Sequence, residues 1–215
     1  MPIEEKVQLS QRAAQDNSKL VKSDLITFLT EYVYSLDEHD KLNPIKKLPM
    51  DKEYITDMAT LFLNERLLII EKSRQMLVTW IGMAYCLWMA MFHPGQRIAV
   101  QSKKEQDANY LVDRAKFIYN HLPDWLKQMY PANPFAYCKL EFGKHNSIIQ
   151  GIPQGPEQLR QYTVSLLWSD EMAFQEMAEE AFIAAKPAIV GGGQFIGVSS
   201  PNFKNFFYRA CKDVV

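Results

Sequence analysis

Between residues 18 and 36, SKLVKSDLITFLTEYVYSL sets Val21, Leu25, Leu29, Tyr32 and Leu36 on one helical face with polar residues between them, which predicts an amphipathic helix. DEHDKLNPIKKLP, residues 37–49, carries two prolines and many charges and reads as a connection closing a small N-terminal segment. From residue 52 the pattern alternates. A helical stretch, KEYITDMATLFLNE, precedes the apolar strand RLLII; a polar turn leads into the apolar helix WIGMAYCLWMAMF, which stops at HPGQ. The strand RIAVQS and a long helix over 105–123 come next. KLEFG and SIIQGI flank KHN as a hairpin, an insertion or an excursion at a sheet edge, and PQGPEQLRQY follows as a polar loop. The buried strand TVSLLW, the helix QEMAEEAFIAAKPAIV, a glycine break at 191–193, the buried strand FIGVS and a helix start NFFYRACKDVV complete the chain. Strands alternating with helices predict an α/β fold, a largely parallel central sheet with helices on both faces.

Composition sharpens this picture only in part. A chain of 215 residues, 47% hydrophobic and 12% aromatic, can bury one large core without disulfides. The densest apolar run, 80–92, is shorter than the roughly 20 residues a membrane span needs, and the polar N-terminus lacks the apolar centre of a secretory signal. A cytoplasmic protein with no membrane partner is expected. Cys86, Cys138 and Cys211 stand far apart with no metal-type spacing and read as reduced, structural thiols. A net charge of -1 exerts no global pull on a polyanion, so any such partner must meet a local patch.

Four stretches carry candidate chemistry. EKSRQMLVTW, residues 71–80, lies where a strand meets a helix, the place of a GxxxxGK[ST] phosphate loop. There, backbone N–H groups face phosphate, a lysine neutralises it and a hydroxyl binds Mg²⁺. Aligning Thr79 with that hydroxyl puts Lys72 at the first glycine, Leu77 at the second and Val78 at the lysine. A lysine stem is long enough for Lys72 to reach the same phosphates from the start of the turn, and Arg74, Ser73 and Gln75 add polar contacts. Leu77 opposes the left-handed backbone that glycine gives such a position. The stretch is a rearranged phosphate site or a solvated strand-to-helix turn.

VSLLWSDEMAF, residues 164–174, is a buried strand ending in two carboxylates. Asp170 suits Mg²⁺ and Glu171 the activation of water, or both cap the helix starting at Met172. Arg160, in EQLRQYTVS, is an arginine finger or a solvated loop charge. GVSSPN, residues 197–202, ends a strand in Ser199 and Ser200, which sense a γ-phosphate or cap a helix.

Taken in order, these stretches resemble the ATPase domain of the large terminase subunit, the DNA-packaging motor of tailed bacteriophages. The likeness rests on KSRQMLVT, similar to a family loop that often shows an SRQ core and sometimes moves its lysine to the start. It rests also on LRQYTVSLLWSDEMAF, on VSSPN and on RIAVQSKKEQDANYLVDRAKFIYNHLP, and it covers roughly residues 45–210. Leu77 and Val78 depart from the usual glycine and lysine.

The resemblance implies a P-loop NTPase-like fold, with 1–48 as an N-terminal helical segment and linker and 49–215 as the ATPase domain. It implies ATP and Mg²⁺ as cofactors, the phosphates lined by Lys72, Ser73, Arg74, Gln75, Met76, Leu77, Val78 and Thr79. Thr79 and Asp170 would hold the metal, Glu171, Arg160 and Lys72 would be catalytic, and Ser199 and Ser200 would couple hydrolysis to motion. Pro49 and Tyr54 would lie near adenine. The implied partners are double-stranded DNA, a portal protein, a small terminase subunit and further copies in a homo-oligomeric ring, in the host cytoplasm. Lys103, Lys104 and Lys204 are candidates for DNA phosphate contact or a solvated face. No acidic cluster follows residue 202, so no nuclease is expected in this chain, whose end after a core element suggests a cut from a longer protein. A helicase-like translocase and a non-hydrolysing docking module are the competing readings.

Overall fold

Asp24 divides the first predicted helix. Its carboxylate accepts the Ile26 N–H at 2.9 Å and the Thr27 hydroxyl at 2.5 Å, capping a new helix. Helical residues 14–23 (α1) therefore end there and Leu25–Tyr32 (α2) begins afresh. The chain then extends as β1 (Tyr34–Leu36), which pairs antiparallel with β2 (Ile45–Lys47) inside what reads as a connection. The computed structural model describes residues 14–157, Leu159 and 163–213.

The remaining elements are α3 (Glu53–Asn64), β3 (Leu67–Glu71), α4 (Val78–Phe92), β4 (Arg97–Ser102), α5 (Glu105–Asn120), α6 (Asp124–Met129), β5 (Lys139–Phe142) and β6 (Ser147–Pro153). β7 (Leu166–Asp170), α7 (Ala178–Val190), β8 (Gln194–Ser199) and α8 (Phe206–Asp213) follow. The helix expected over 105–123 stops at Asn120, and Pro123 opens the separate helix α6. A 3₁₀ turn, Met172–Phe174, delays α7 to Ala178.

Six strands form one sheet in the order β3-β8-β7-β4-β6-β5. All neighbours are parallel except β5, which returns antiparallel to β6, so the predicted hairpin is built into one edge. This is the α/β architecture expected from the alternation, and strand alternation divides its core. Ile98, Val100, Trp168 and Val198 point into the large cluster that includes α2, α3, α4 and α5; Ala99, Leu167 and Phe195 point toward α7 and α8. Val21, Leu25 and Phe28 of the N-terminal helices join the large cluster.

One contact sets the height of α4 on the sheet. A Cβ at Gly82 would lie 2.0 Å from Trp168 Cη2, so the bare glycine backbone rests on the indole of β7. Among the described residues no helix is long and apolar enough to cross a membrane, and the three cysteines are free thiols.

Candidate functional site

Parallel strands β3, β7 and β8 deliver their C-terminal ends to one edge, and five of the predicted groups meet there. The Gly82–Trp168 contact explains the first pairing. Thr79 precedes Gly82 by nearly one helical turn, while Asp170 follows Trp168 by two strand residues and points to the same face. The Thr79 hydroxyl accordingly donates to Asp170 Oδ1 at 3.3 Å.

The turn from β3 into α4 begins as an extension of the sheet. Glu71 lies in register with Ser199, and the Lys72 N–H donates to the Ser199 carbonyl at 3.0 Å. Two residues then take left-handed conformations, Gln75 at φ 64° and Leu77 at φ 55°. The expectation that leucine would resist this backbone at position 77 is overturned. A left-handed L-residue costs about 1–2 kcal/mol. Leu77 and Met76 both pack their side chains on the large core, and apolar burial worth up to about 1.5–3 kcal/mol per fully buried side chain is enough to offset it. Leu77 thus caps α4 in the conformation a glycine would take, its carbonyl accepting from Ile81 N–H at 3.0 Å. Ser73, Arg74 and Gln75 are exposed. Among the described residues, no hydrogen-bond partner is found for their backbone N–H groups.

Across the edge, Glu171 is itself left-handed, at φ 49°, and starts the 3₁₀ turn. That conformation swings its carboxylate over the sheet edge, where Oε1 lies 3.4 Å from Lys72 Nζ and Oε2 lies 3.5 Å from Ser199 Oγ. Ser199 Oγ also accepts the buried Ala173 N–H at 3.1 Å. Gly197 lets Met172 pass underneath, since a Cβ there would meet the Met172 sulfur at 2.5 Å. Asp170 is only 6% exposed. Burial raises its pKa from 3.8 to about 6, the neighbouring Glu171 charge adds to the rise, and Lys72, Arg114 and the Thr79 hydrogen bond oppose it.

The sequence reading is brought together here for Lys72, Thr79, Asp170, Glu171 and Ser199. Val78 is buried at the start of α4, and Ser200 is half-buried beside Ser199. Tyr54 packs on the core cluster that also holds Met76 and Leu77. Arg160 lies outside the described residues. Lys103, Lys104 and Lys204 are exposed, in the segments that follow β4 and β8. Two contributors were missed. Gln175 donates through Nε2 to Ser169 Oγ at 3.0 Å and to the Asp170 carbonyl at 2.8 Å, locking the acidic turn. Arg114, on α5, lies over the Trp80 ring of α4 at 5.6 Å; this pairing across two helices leaves no trace in local sequence.

Thr79 and Asp170 form a hydroxyl–carboxylate pair of the kind that suits a hard cation, which takes its remaining ligands from phosphate and water. Among the described residues no cluster of three His, Cys, Asp or Glu side chains could hold a metal alone. A cavity of about 620 Å³ opens at the opposite end of the strands, lined by Tyr85, Gln194 and Gly191–Gly193, away from this chemistry.

A largely parallel sheet with a strand-to-helix turn and an acidic strand end at one edge defines a P-loop-like α/β fold. No family model matches the sequence. Among solved structures, the chain is similar to the large terminase ATPase domain of Thermus phage P74-26, at 15% identity and a TM-score of 0.56, over 68% of this chain and 64% of that one. It is similar to the HK97 bacteriophage large terminase at 16% identity and a TM-score of 0.62, over 90% of this chain and 42% of that one. A large terminase of a thermophilic bacteriophage, solved in complex with ADP, is similar at 13% identity and a TM-score of 0.50, over 68% and 35%. The fold is therefore that of phage large-terminase ATPase domains, and the chain spans less than two thirds of each of these three structures.

Proposed function

We propose that this chain is the ATP-hydrolysing motor domain of a viral terminase large subunit, driving double-stranded DNA into a procapsid. The observation that carries the reading is the meeting of Lys72 and Thr79 with Asp170 and Glu171 at one sheet edge, 3.4 and 3.3 Å apart in their respective pairs. Similarity of fold to a terminase that binds ADP supports a nucleotide as the ligand.

In this reading residues 49–215 form the motor unit. The open N–H groups of residues 73–75, with Lys72 and Arg74, hold the phosphates. Thr79 and Asp170 hold Mg²⁺, which neutralises charge on the phosphates when bound. Phosphate draws Lys72 away from Glu171, and the freed carboxylate orients and deprotonates the water that attacks the γ-phosphorus as the bond to ADP breaks. Ser199, linked to both Glu171 and the Ala173 N–H, passes the loss of phosphate to the segment beginning at Ser200. Arg160 is the finger, within one subunit or across a ring docked on a portal protein with the small subunit. Lys103, Lys104 and Lys204 face DNA phosphates.

Glu171→Gln tests this directly. Mg-dependent turnover is expected to fall roughly 10²–10⁴-fold while Mg·ATP binding is retained. Parental turnover in the variant removes Glu171 from the mechanism. Failure of the parent to bind Mg·ATP at millimolar concentration leaves a non-hydrolysing docking module instead.

A further inference from the structure

Arg114 stands on α5 with its guanidinium carbon 5.6 Å from the centre of the Trp80 ring. Phe117, from the same helix, braces that indole edge-on at a centroid distance of 5.5 Å. Trp80 directly follows Thr79, whose hydroxyl reaches Asp170. The guanidinium thus lies over the residue next to the Thr79–Asp170 pair. Among the described residues no carboxylate lies within ion-pair distance of Arg114. Lys72 differs in being engaged with Glu171, and Arg74 in standing exposed in the turn.

Stacking on an indole occupies the flat face of a guanidinium and leaves its edge N–H donors free. Those donors form a fork that matches two phosphate oxygens. Val78 stands where a phosphate loop normally carries its lysine, so positive charge has to come from outside that position. Lys72 brings it from the Glu171 side. We infer that Arg114 is a further phosphate-binding cation of the same subunit, beside Lys72 and Arg74, gripping a nucleoside triphosphate from the Asp170 side while held over the Trp80 ring. This rests on the nucleotide reading above and adds a residue to it. Trp80 then does double work, as a platform for the cation and as an optical reporter of its movement onto phosphate.

The experiment uses the full chain carrying Glu171→Gln, so that nothing is hydrolysed, and measures Mg·ATP affinity by calorimetry with tryptophan emission recorded in parallel. Arg114→Met keeps the apolar stem over Trp80 and deletes the fork. It is expected to raise Kd about 10-fold or more, and to abolish the nucleotide-induced change in emission. Arg114→Lys retains the charge without the fork and is expected to recover part of the affinity. Should Arg114→Met lower the melting temperature, Arg114→Lys carries the test alone: weaker binding at an unchanged melting temperature supports the assignment. Binding within about twofold of the parent in both variants overturns the inference and leaves the phosphate site standing. A parent that binds no Mg·ATP overturns the nucleotide reading and Arg114's part in it together.

Discussion

The turn after β7 is tied down along its length by side chains, whereas the turn after β3 is tied only at its two ends. After β7, Gln175 holds Ser169 and the Asp170 carbonyl, the Ala173 N–H rests on Ser199, and the Ala173 carbonyl accepts from Asn202 at 3.2 Å and Asn205 at 2.6 Å. After β3, Lys72 N–H is bound at the start and the Leu77 carbonyl at the end, with exposed Ser73, Arg74 and Gln75 between them. In the proposed reading, the difference follows from what each turn has to do. A carboxylate that orients water must be placed before substrate arrives, because reorganisation during the reaction would raise the barrier. A cradle for a polyanion completes its hydrogen bonds with the ligand itself and is built open.

The sharpest test of that contrast is the charge stored in the built turn. Asp170 titrates near 6 when folded, against 3.8 for an ordinary aspartate, so the native state holds a proton that the unfolded chain has released between those values. Its contribution to stability is full below pH 4 and is lost as pH rises through 6. Asp170→Asn should therefore stabilise the nucleotide-free, metal-free protein by up to about 3 kcal/mol at pH 8, and the gain should vanish below pH 4. Urea unfolding in chelator at pH 4, 6 and 8 measures it. A variant equally stable to the parent at every pH would show that the acidic turn carries no such charge penalty.

A smaller effect separates the turns through their hydroxyls. Ser199→Ala leaves the buried Ala173 N–H without an acceptor and should cost about 1–3 kcal/mol. Ser73→Ala, in the open turn, should change stability by less than about 0.5 kcal/mol. Equal losses at the two positions would erase the distinction between a finished turn and an open one.

Much of this arrangement was readable in the chain because a parallel sheet is itself an alignment device. Once strands alternate with helices, all their C-terminal ends fall on one edge, and Lys72, Asp170 and Ser199 needed only to end strands to become neighbours. What could not be read was contact between elements. Gly82 looks like any helix glycine until Trp168 is found beneath it, and Arg114 like any surface cation until α5 lies against α4. The break at Asp24 was hidden for another reason: Val21, Leu25 and Leu29 keep one face through the cap, so periodicity runs on where the backbone does not. β1 and β2 are three residues each, with Leu36 and Ile45 exposed, too short and too wet to alternate.

Leu77 shows where a rule about residue type yielded to packing, and it gives the smallest and most discriminating prediction. Glycine at that position would relieve a left-handed penalty of about 1–2 kcal/mol, but it would also remove a side chain that packs on the large core and would enlarge the conformational freedom of the unfolded chain. The terms oppose each other, so Leu77→Gly should change stability by less than about 1 kcal/mol in either direction. Leu77→Val keeps an apolar side chain but is β-branched, which makes φ near 55° a steric outlier; it should destabilise more than the glycine variant does. The comparison is made by urea unfolding of the two variants beside the parent. If valine were tolerated and glycine were not, packing alone would govern the position, and the turn after β3 would not need the left-handed cap on which the proposed phosphate cradle rests.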